Sequence, residues 1–330
     1  MKDVLNKLIK YQTLSRDEAF EILSNLATGQ YNNSQMAAFM TVYLMRSIRV
    51  EELEGFRDAM LELCIKVPGE KHDAIDLCGT GGDGKNTFNI STVSSFVVAG
   101  AGQKVVKHGN YGVSSVSGSS NVLEQLGIKF SNDLETIEDS IDEAGICFLH
   151  APLFHPAMKN VGPVRRELGI KTFFNMLGPM VNPAFPKAQV VGVFSLELAR
   201  LYGYLYQNTD KRFAIVHSLD GYDEISLTGS FKLITNEKEQ VISPEDLGFE
   251  KLSEASLAGG EDVPSAAKIL LNILNDQCTK AQKHAVLANA GLAISTGKQI
   301  SFEAGIVEAK SSIEGGKAFE AFEKFKSINK

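Results

Sequence analysis

The stretch AIDLCGTGGDGKNTFNISTVSSFVVAGAGQKVVKH, residues 74–108, decides the fold class. It opens on AIDLC, a short apolar run rich in strand formers, and closes on a second such run, KVVKH at 104–108. Between them lies a helix-like stretch over 90–101, entered through a turn that holds Gly79, Gly81, Gly82 and Gly84. Strand, crossover helix and strand in that order make a parallel pair. The same alternation continues downstream. ICFLH at 146–150, QVVGVF at 189–194 and FAIVH at 213–217 read as further strands, and 133–144 reads as another helix. FKLIT and QVISP, separated by NEKE, predict an added antiparallel hairpin. The fold class is therefore α/β, with a central, mainly parallel sheet.

Upstream of this stretch the first 67 residues carry helix signals only. Ser15 and Glu18 have the spacing of a capping box, Phe20, Leu23 and Leu26 follow as an apolar stripe, and Gly29 reads as the stop. Met36, Phe39, Met40, Tyr43 and Leu44 mark a second amphipathic run, and Leu53, Phe56, Met60 and Leu63 a third. With Val4, Leu5, Leu8 and Ile9 they make a four-helix opening unit that ends at Pro68-Gly69. The predicted division is a small helical domain over 1–67, joined by part of the Pro- and Gly-rich segment at about 160–185, and an α/β domain over 68–330. A cleft between two domains is where a small-molecule site is expected. The last 70 residues return to helix, with an apolar run at 285–294 that should be buried. Met36, Phe39, Met40 and Tyr43 are more apolar surface than so small a unit covers alone, which predicts a twofold dimer through it.

Composition narrows the function. A hydrophobic fraction of 44% and a charged fraction of 22% are ordinary for a globular protein. No run approaches the roughly 18 apolar residues of a membrane span, and the opening MKDVLNKLIK lacks a signal-peptide pattern. Cys64, Cys78, Cys147 and Cys278 show no CxxC spacing and read as small core residues of a reducing compartment. The expectation is a soluble cytoplasmic protein with no membrane partner. A net charge of −7 also tells against a general nucleic-acid binder.

The Gly-rich turn carries the strongest chemical signal. Its glycines let the backbone turn sharply and present N–H groups to a ligand, and a helix starting near Asn89 adds a positive dipole end. Thr80, Thr87, Ser91 and Thr92 add hydroxyls, so the segment reads as a phosphate cradle. No GK[ST] follows, and the GxGxxG dinucleotide pattern is absent. The next strand ends in Lys107-His108-Gly109-Asn110 and runs into the serine-rich YGVSSVSGSS, with Ser114, Ser115, Ser117 and Ser119. Ligands of α/β sheets bind beyond the carboxyl ends of strands, so this segment should lie beside the first turn, with Lys107 as a point charge. Asp223-Glu224 follows a third strand and suits magnesium, which is commonly held by one or two carboxylates plus substrate phosphates. In the segment 151–187 stand His155 and the pair Arg165-Arg166, either of which could clamp a carboxylate.

GTGGD (79–83), NIST (89–92), KHGN (107–110), HPAMKNVGPVRRELG (155–169), FFNMLGP (173–179) and DGYDEIS (220–226) together resemble the anthranilate phosphoribosyltransferase family, in order and spacing. The resemblance implies a nucleoside phosphorylase/phosphoribosyltransferase-like fold, a homodimer formed through the helical part, and transfer of a phosphoribosyl group from phosphoribosyl pyrophosphate to anthranilate in tryptophan biosynthesis. It implies two magnesium ions, with Ser91, Asp223 and Glu224 as ligands. It places Gly79, Gly82, Asp83, Thr87, Asn89, Ile90, Ser91, Thr92, Lys107, Ser115 and Ser119 at phosphoribosyl pyrophosphate, and Gly79, His108, Asn110 and Arg165 at anthranilate. Lys107, His108 and Asn110 would assist catalysis, with no covalent nucleophile or general base. Two positions depart from the family: Tyr111 stands where many members have arginine, and Asn121 where an acidic residue is common. Tyr111 cannot supply a cation, which leaves more of the charge compensation to Lys107. The rival readings are a pyrimidine nucleoside phosphorylase and a non-catalytic relative that binds nucleic acid.

Overall fold

Seven strands form one sheet in the order β3-β2-β1-β4-β5-β6-β7. They are β1 (Ile75–Gly79), β2 (Val105–Gly109), β3 (Ile146–His150), β4 (Ala188–Gly192), β5 (Arg212–Ser218), β6 (Phe231–Thr235) and β7 (Glu239–Ile242). The first five pair parallel, while β5–β6 and β6–β7 are antiparallel. The computed structural model describes residues 1–112 and 116–330. Ser114 and Ser115 therefore lie outside the described residues.

The chain forms two compact units. Unit 1 comprises Met1–Lys66 and Ala151–Pro183; unit 2 comprises Val67–His150 and Ala184–Lys330. In unit 1 the opening helices are α1 (Lys2–Ile9), α2 (Arg16–Ala27), α3 (Asn33–Met45) and α4 (Val50–Glu62). Ser15 Oγ accepts from Glu18 N at 3.2 Å, and Glu18 returns the contact to Ser15 N at 2.7 Å, closing the α2 capping box.

Met36, Phe39, Met40 and Tyr43 are buried inside unit 1, contrary to the expectation of an exposed face. Phe173, supplied by the later segment, covers the two aromatics: its ring stacks on Phe56 at 4.6 Å and meets Phe39 and Tyr43 edge-on at 5.9 and 5.3 Å. Asn160 of the same segment donates to Ala27 O at 2.7 Å and so satisfies a carbonyl at the end of α2.

Glu52 is the polar anchor of unit 1. Fully buried, its carboxylate accepts from Leu14 N (2.9 Å), Tyr43 Oη (3.1 Å), Arg49 N (2.9 Å) and the Arg46 guanidinium. Removing one partner of such a group leaves the others uncompensated, at a cost of about 3–5 kcal/mol. Glu52→Ala should lose stability on that scale in urea unfolding, and a loss under about 1 kcal/mol would show that the network behaves like a surface pair.

In unit 2 the helix α5 (Ile90–Gly100) links β1 to β2. The helix Lys280–Lys298 packs beneath the sheet with residues 285–294 buried, as their apolar sequence predicts. The chain runs from β1 outward to β2 and β3, and from β4 in the opposite direction to β5. The strand order thus reverses between β1 and β4, and α/β sheets bind ligands at such a point, beyond the carboxyl ends of the strands.

Candidate functional site

Both strands at the reversal end in glycine, and Gly79 pairs in register with Gly192. The turn carrying Asp223 and Glu224 lies directly on this pair. A Cβ at Gly192 would sit inside the van der Waals shell of the Asp223 carbonyl oxygen, and one at Gly79 would strike Asp223 Oδ2. Only hydrogen at these positions lets the acidic turn approach the strand ends. Gly79 is conspicuous in sequence within its Gly-rich turn; Gly192, a single glycine interrupting the run QVVGVF, is far less so.

The carboxylates reach the phosphate-cradle segment. Asp223 Oδ2 accepts from Gly81 N at 2.6 Å, and Glu224 Oε1 accepts from Ser91 N at 3.0 Å. Sequence reasoning left the N–H groups at the start of α5 unpaired for a phosphate. Instead Ser91 N is taken by Glu224, Thr92 N by Asn89 O at 3.1 Å, and Ile90 N by Phe88 O at 2.6 Å. Ile90 and Thr92 also have buried side chains. Gly81, Gly82 and Gly84 all have positive φ, which shapes the loop. Thr87 bridges Ala258, and Asn86 O accepts from Gly259 N at 2.8 Å, so a second segment braces the far limb of this loop.

Lys107 is buried rather than at the surface. Its Nζ donates to Leu77 O and to Ser91 Oγ, the latter at 3.3 Å, so the charge lies beneath the loop. Burial pulls the Lys107 ammonium below its ordinary pKa, against the pull of the fully buried Asp76. His108 N donates to that same Asp76 at 3.2 Å. Asn110 O accepts from Ser119 Oγ at 3.3 Å, and Asn89 Nδ2 donates to Ser117 O at 3.2 Å, which ties the serine loop to the start of α5. Asn121 Oδ1 accepts from Gly112 N (3.0 Å) and Gly118 N (2.9 Å), closing that loop at both ends with a neutral amide. Tyr111 donates to Glu124 at 2.8 Å and packs edge-on against His150.

Asp83, Asp223 and Glu224 lie close enough to act on one another, and of these Glu224 is the one that also feels Lys107. Burial, then the nearby charge of Asp83, pushes Asp223 up from the usual carboxylate range. Burial, then Asp223, does the same to Glu224. Glu224 Oε2 is buried without a hydrogen-bond partner, and so is Thr80 Oγ1. A pocket at this point is lined by Ser91, Gly192, Asp223, Glu224 and Asn289, with Leu77 and Val190 on its apolar side. Among the described residues no three His, Cys, Asp or Glu side chains form an all-protein metal cage. An orphaned carboxylate oxygen, a second carboxylate and a hydroxyl fit a hard dication that keeps waters and shares phosphate oxygens.

In unit 1, Arg165 is half-buried over the Phe174 ring at 5.2 Å and donates to Asn175 Oδ1 at 3.4 Å, whereas Arg166 is exposed. Desolvation lowers the Arg165 pKa. His155 is buried, with Nε2 at 3.0 Å from Val181 O.

Residues 71–319 match the glycosyl transferase family a/b domain, and residues 2–64 match the helical bundle domain of the same family. The chain is 63% identical to anthranilate phosphoribosyltransferase of Christiangramia forsetii, covering 100% of this chain and 99% of the relative. It is 59% identical to that of Flavobacterium johnsoniae, covering 100% of both. Among solved structures it is similar to anthranilate phosphoribosyltransferase of Thermus thermophilus, with a TM-score of 0.92, 32% identity and 99% coverage of each chain. It is also similar to the Saccharomyces cerevisiae protein in complex with PRPP and Mg, with a TM-score of 0.90, 26% identity, and 98% and 96% coverage.

Proposed function

From a chain that belongs to the anthranilate phosphoribosyltransferase family, we infer a transfer of the phosphoribosyl group of phosphoribosyl pyrophosphate to the amine of anthranilate, releasing pyrophosphate, in tryptophan biosynthesis. The observation that carries this is the Asp223–Glu224 turn seated on Gly79 and Gly192 at the strand-order reversal, beside Ser91 and over buried Lys107. Asp83, Asp223 and Glu224 crowd acidic groups at one turn, so the site takes its anionic substrate together with a cation. Ser91, Asp223 and Glu224 hold magnesium, with two ions per site; the yeast relative's complex with PRPP and Mg supports magnesium as the metal. Bound there, magnesium would supply positive charge to the departing pyrophosphate.

The rest falls to the chain's own residues. The loop over Gly79, Gly82, Asp83, Thr87 and Asn89, with Lys107 and Ser119, cradles phosphoribosyl pyrophosphate; Ser115 belongs to the same proposal. His108, Asn110 and Arg165 orient anthranilate. The aryl amine is a weak nucleophile, so the ribose carries positive charge before the new bond forms, and catalysis rests on alignment and electrostatics. Lys107→Ala should weaken phosphoribosyl-pyrophosphate binding by about 1.5–3 kcal/mol, roughly ten- to hundredfold. Calorimetry checks this, and an unchanged affinity would remove Lys107 from the cradle.

The protein acts as a cytoplasmic homodimer through its helical unit. All four cysteines are unpaired, and no helix among the described residues is long and apolar enough to cross a membrane. With Met36, Phe39, Met40 and Tyr43 buried, the dimer rests on other apolar side chains of unit 1, such as the exposed Ile9, Leu44 and Met45. Light scattering at micromolar concentration should give twice the 35.9 kDa chain mass, and a monomeric mass would refute the assembly. The activity itself is tested by the fluorescence of phosphoribosyl-anthranilate as it forms. The purified chain should make it, and should not phosphorolyse pyrimidine nucleosides; the opposite pattern would make it a phosphorylase.

A further inference from the structure

Within the buried apolar run 285–294, one side chain alone is polar: Asn289. A buried amide is costly in such a helix unless it is matched. It is matched chiefly at one distant residue. Asn289 Oδ1 accepts from Ile225 N at 3.1 Å, and Nδ2 donates to Ile225 O at 2.8 Å and to Ala285 O at 2.8 Å. The amide thus grips both backbone groups of the residue that follows Glu224. From the other side Ser218 Oγ donates to Glu224 O at 2.6 Å. The glycine pair beneath sets the depth of the turn but leaves it free to lift, since hydrogen bears no directional contact. Gly81 N, Ser91 N and Ser218 Oγ hold Asp223 and Glu224 themselves, Asn289 adds the hold on the residue that follows, and it lines the same pocket as Ser91 and Glu224.

We propose that Asn289 is a positioning residue for the magnesium site, clamping Ile225 so that the Glu224 carboxylate is held toward the pocket. This rests on Asp223 and Glu224 being the magnesium pair. Loss of the clamp leaves Ile225 N and O unmatched in the interior, so the turn shifts to rehydrate them and carries Glu224 with it.

The test is calorimetric titration with magnesium pyrophosphate, in the absence of turnover and well below each variant's melting midpoint. Asn289→Ala and Asn289→Leu, the latter keeping the volume, should each bind at least tenfold more weakly than wild type. Ser312→Ala removes an equally buried hydrogen bond of unit 2, Ser312 Oγ to Val97 O at 2.8 Å, and should bind as wild type does. Asp223→Asn with Glu224→Gln is the reference for a lost metal pair. If that double variant loses binding while both Asn289 variants keep it, the clamp is wrong and the metal pair stands. If the double variant keeps binding, the metal pair fails and the clamp with it. An equal loss in Ser312→Ala would reduce Asn289 to general stability and overturn its role. The wild-type chain gives a readout that no folding defect can remove. The Ile225 amide should exchange with solvent as slowly as core amides of β5, and exchange at the rate of an open loop overturns the clamp.

Discussion

Replacing Asp223 by Asn and Glu224 by Gln together should leave a folded protein that is nearly inactive at ordinary magnesium. Neutral amides bind a hard dication far more weakly than carboxylates do. They can still accept from Gly81 N and Ser91 N, so the local hydrogen bonds survive. Both carboxyls have folded-state pKa values raised by burial first, then by the charge of Asp83 at Asp223 and of Asp223 at Glu224. A carboxyl raised in this way opposes folding at pH values above its unfolded pKa, because ionising it in place is unfavourable. The neutral pair removes that penalty. Near neutral pH and without magnesium, the double variant should therefore melt no lower than wild type, and above it if the relief is fully realised. Loss of function with retained or gained stability is the mark of a strained site. Wild-type turnover with an unchanged magnesium dependence would show the pair to be a solvated turn, and a large fall in melting temperature would show it to be structural.

Arg165→Ala should raise the KM for anthranilate by at least thirtyfold. Truncating one partner of a buried charge pair costs about 2–5 kcal/mol, or roughly thirty- to several-thousandfold in affinity. Arg165 is half-buried, with its guanidinium steadied by the Phe174 ring and by Asn175. A planar group held in this way suits a planar aryl carboxylate. Arg166, one residue on, is exposed and should matter much less when truncated. Steady-state kinetics on the two alanine variants separates them. Equal effects, or an Arg165 effect confined to phosphoribosyl pyrophosphate, would move the carboxylate contact elsewhere.

What could be read in the sequence follows the range of the interactions. The AIDLC and KVVKH runs lie within one residue of β1 and β2, because the alternation of strand and helix is a local signal. The Ser15–Glu18 capping box spans three residues and was legible for the same reason. The fate of Met36, Phe39, Met40 and Tyr43 was not. Phe173, which covers Phe39 and Tyr43, arrives from a segment more than a hundred residues away, so reading the first 67 residues alone left them uncovered. The acidic turn shows the same limit. DGYDEIS, GTGGD and NIST can each be recognised, but the contacts that join the first to the other two span 142 and 133 residues. Gly192 and Asn289 had no local signal beyond an interrupted pattern: a glycine inside a strand, and an asparagine inside an apolar helix. Each interruption marks a point where another part of the chain comes close.

If Asp223 and Glu224 hold magnesium for the pyrophosphate, substrate binding depends on the cation, and that is most directly checked by calorimetric titration of phosphoribosyl pyrophosphate into the wild-type protein, first with magnesium and then with the metal chelated. Binding should be measurable with magnesium and weaker by at least a hundredfold, about 2.7 kcal/mol, after chelation. Equal affinity in the two conditions would contradict a substrate held through Asp223 and Glu224.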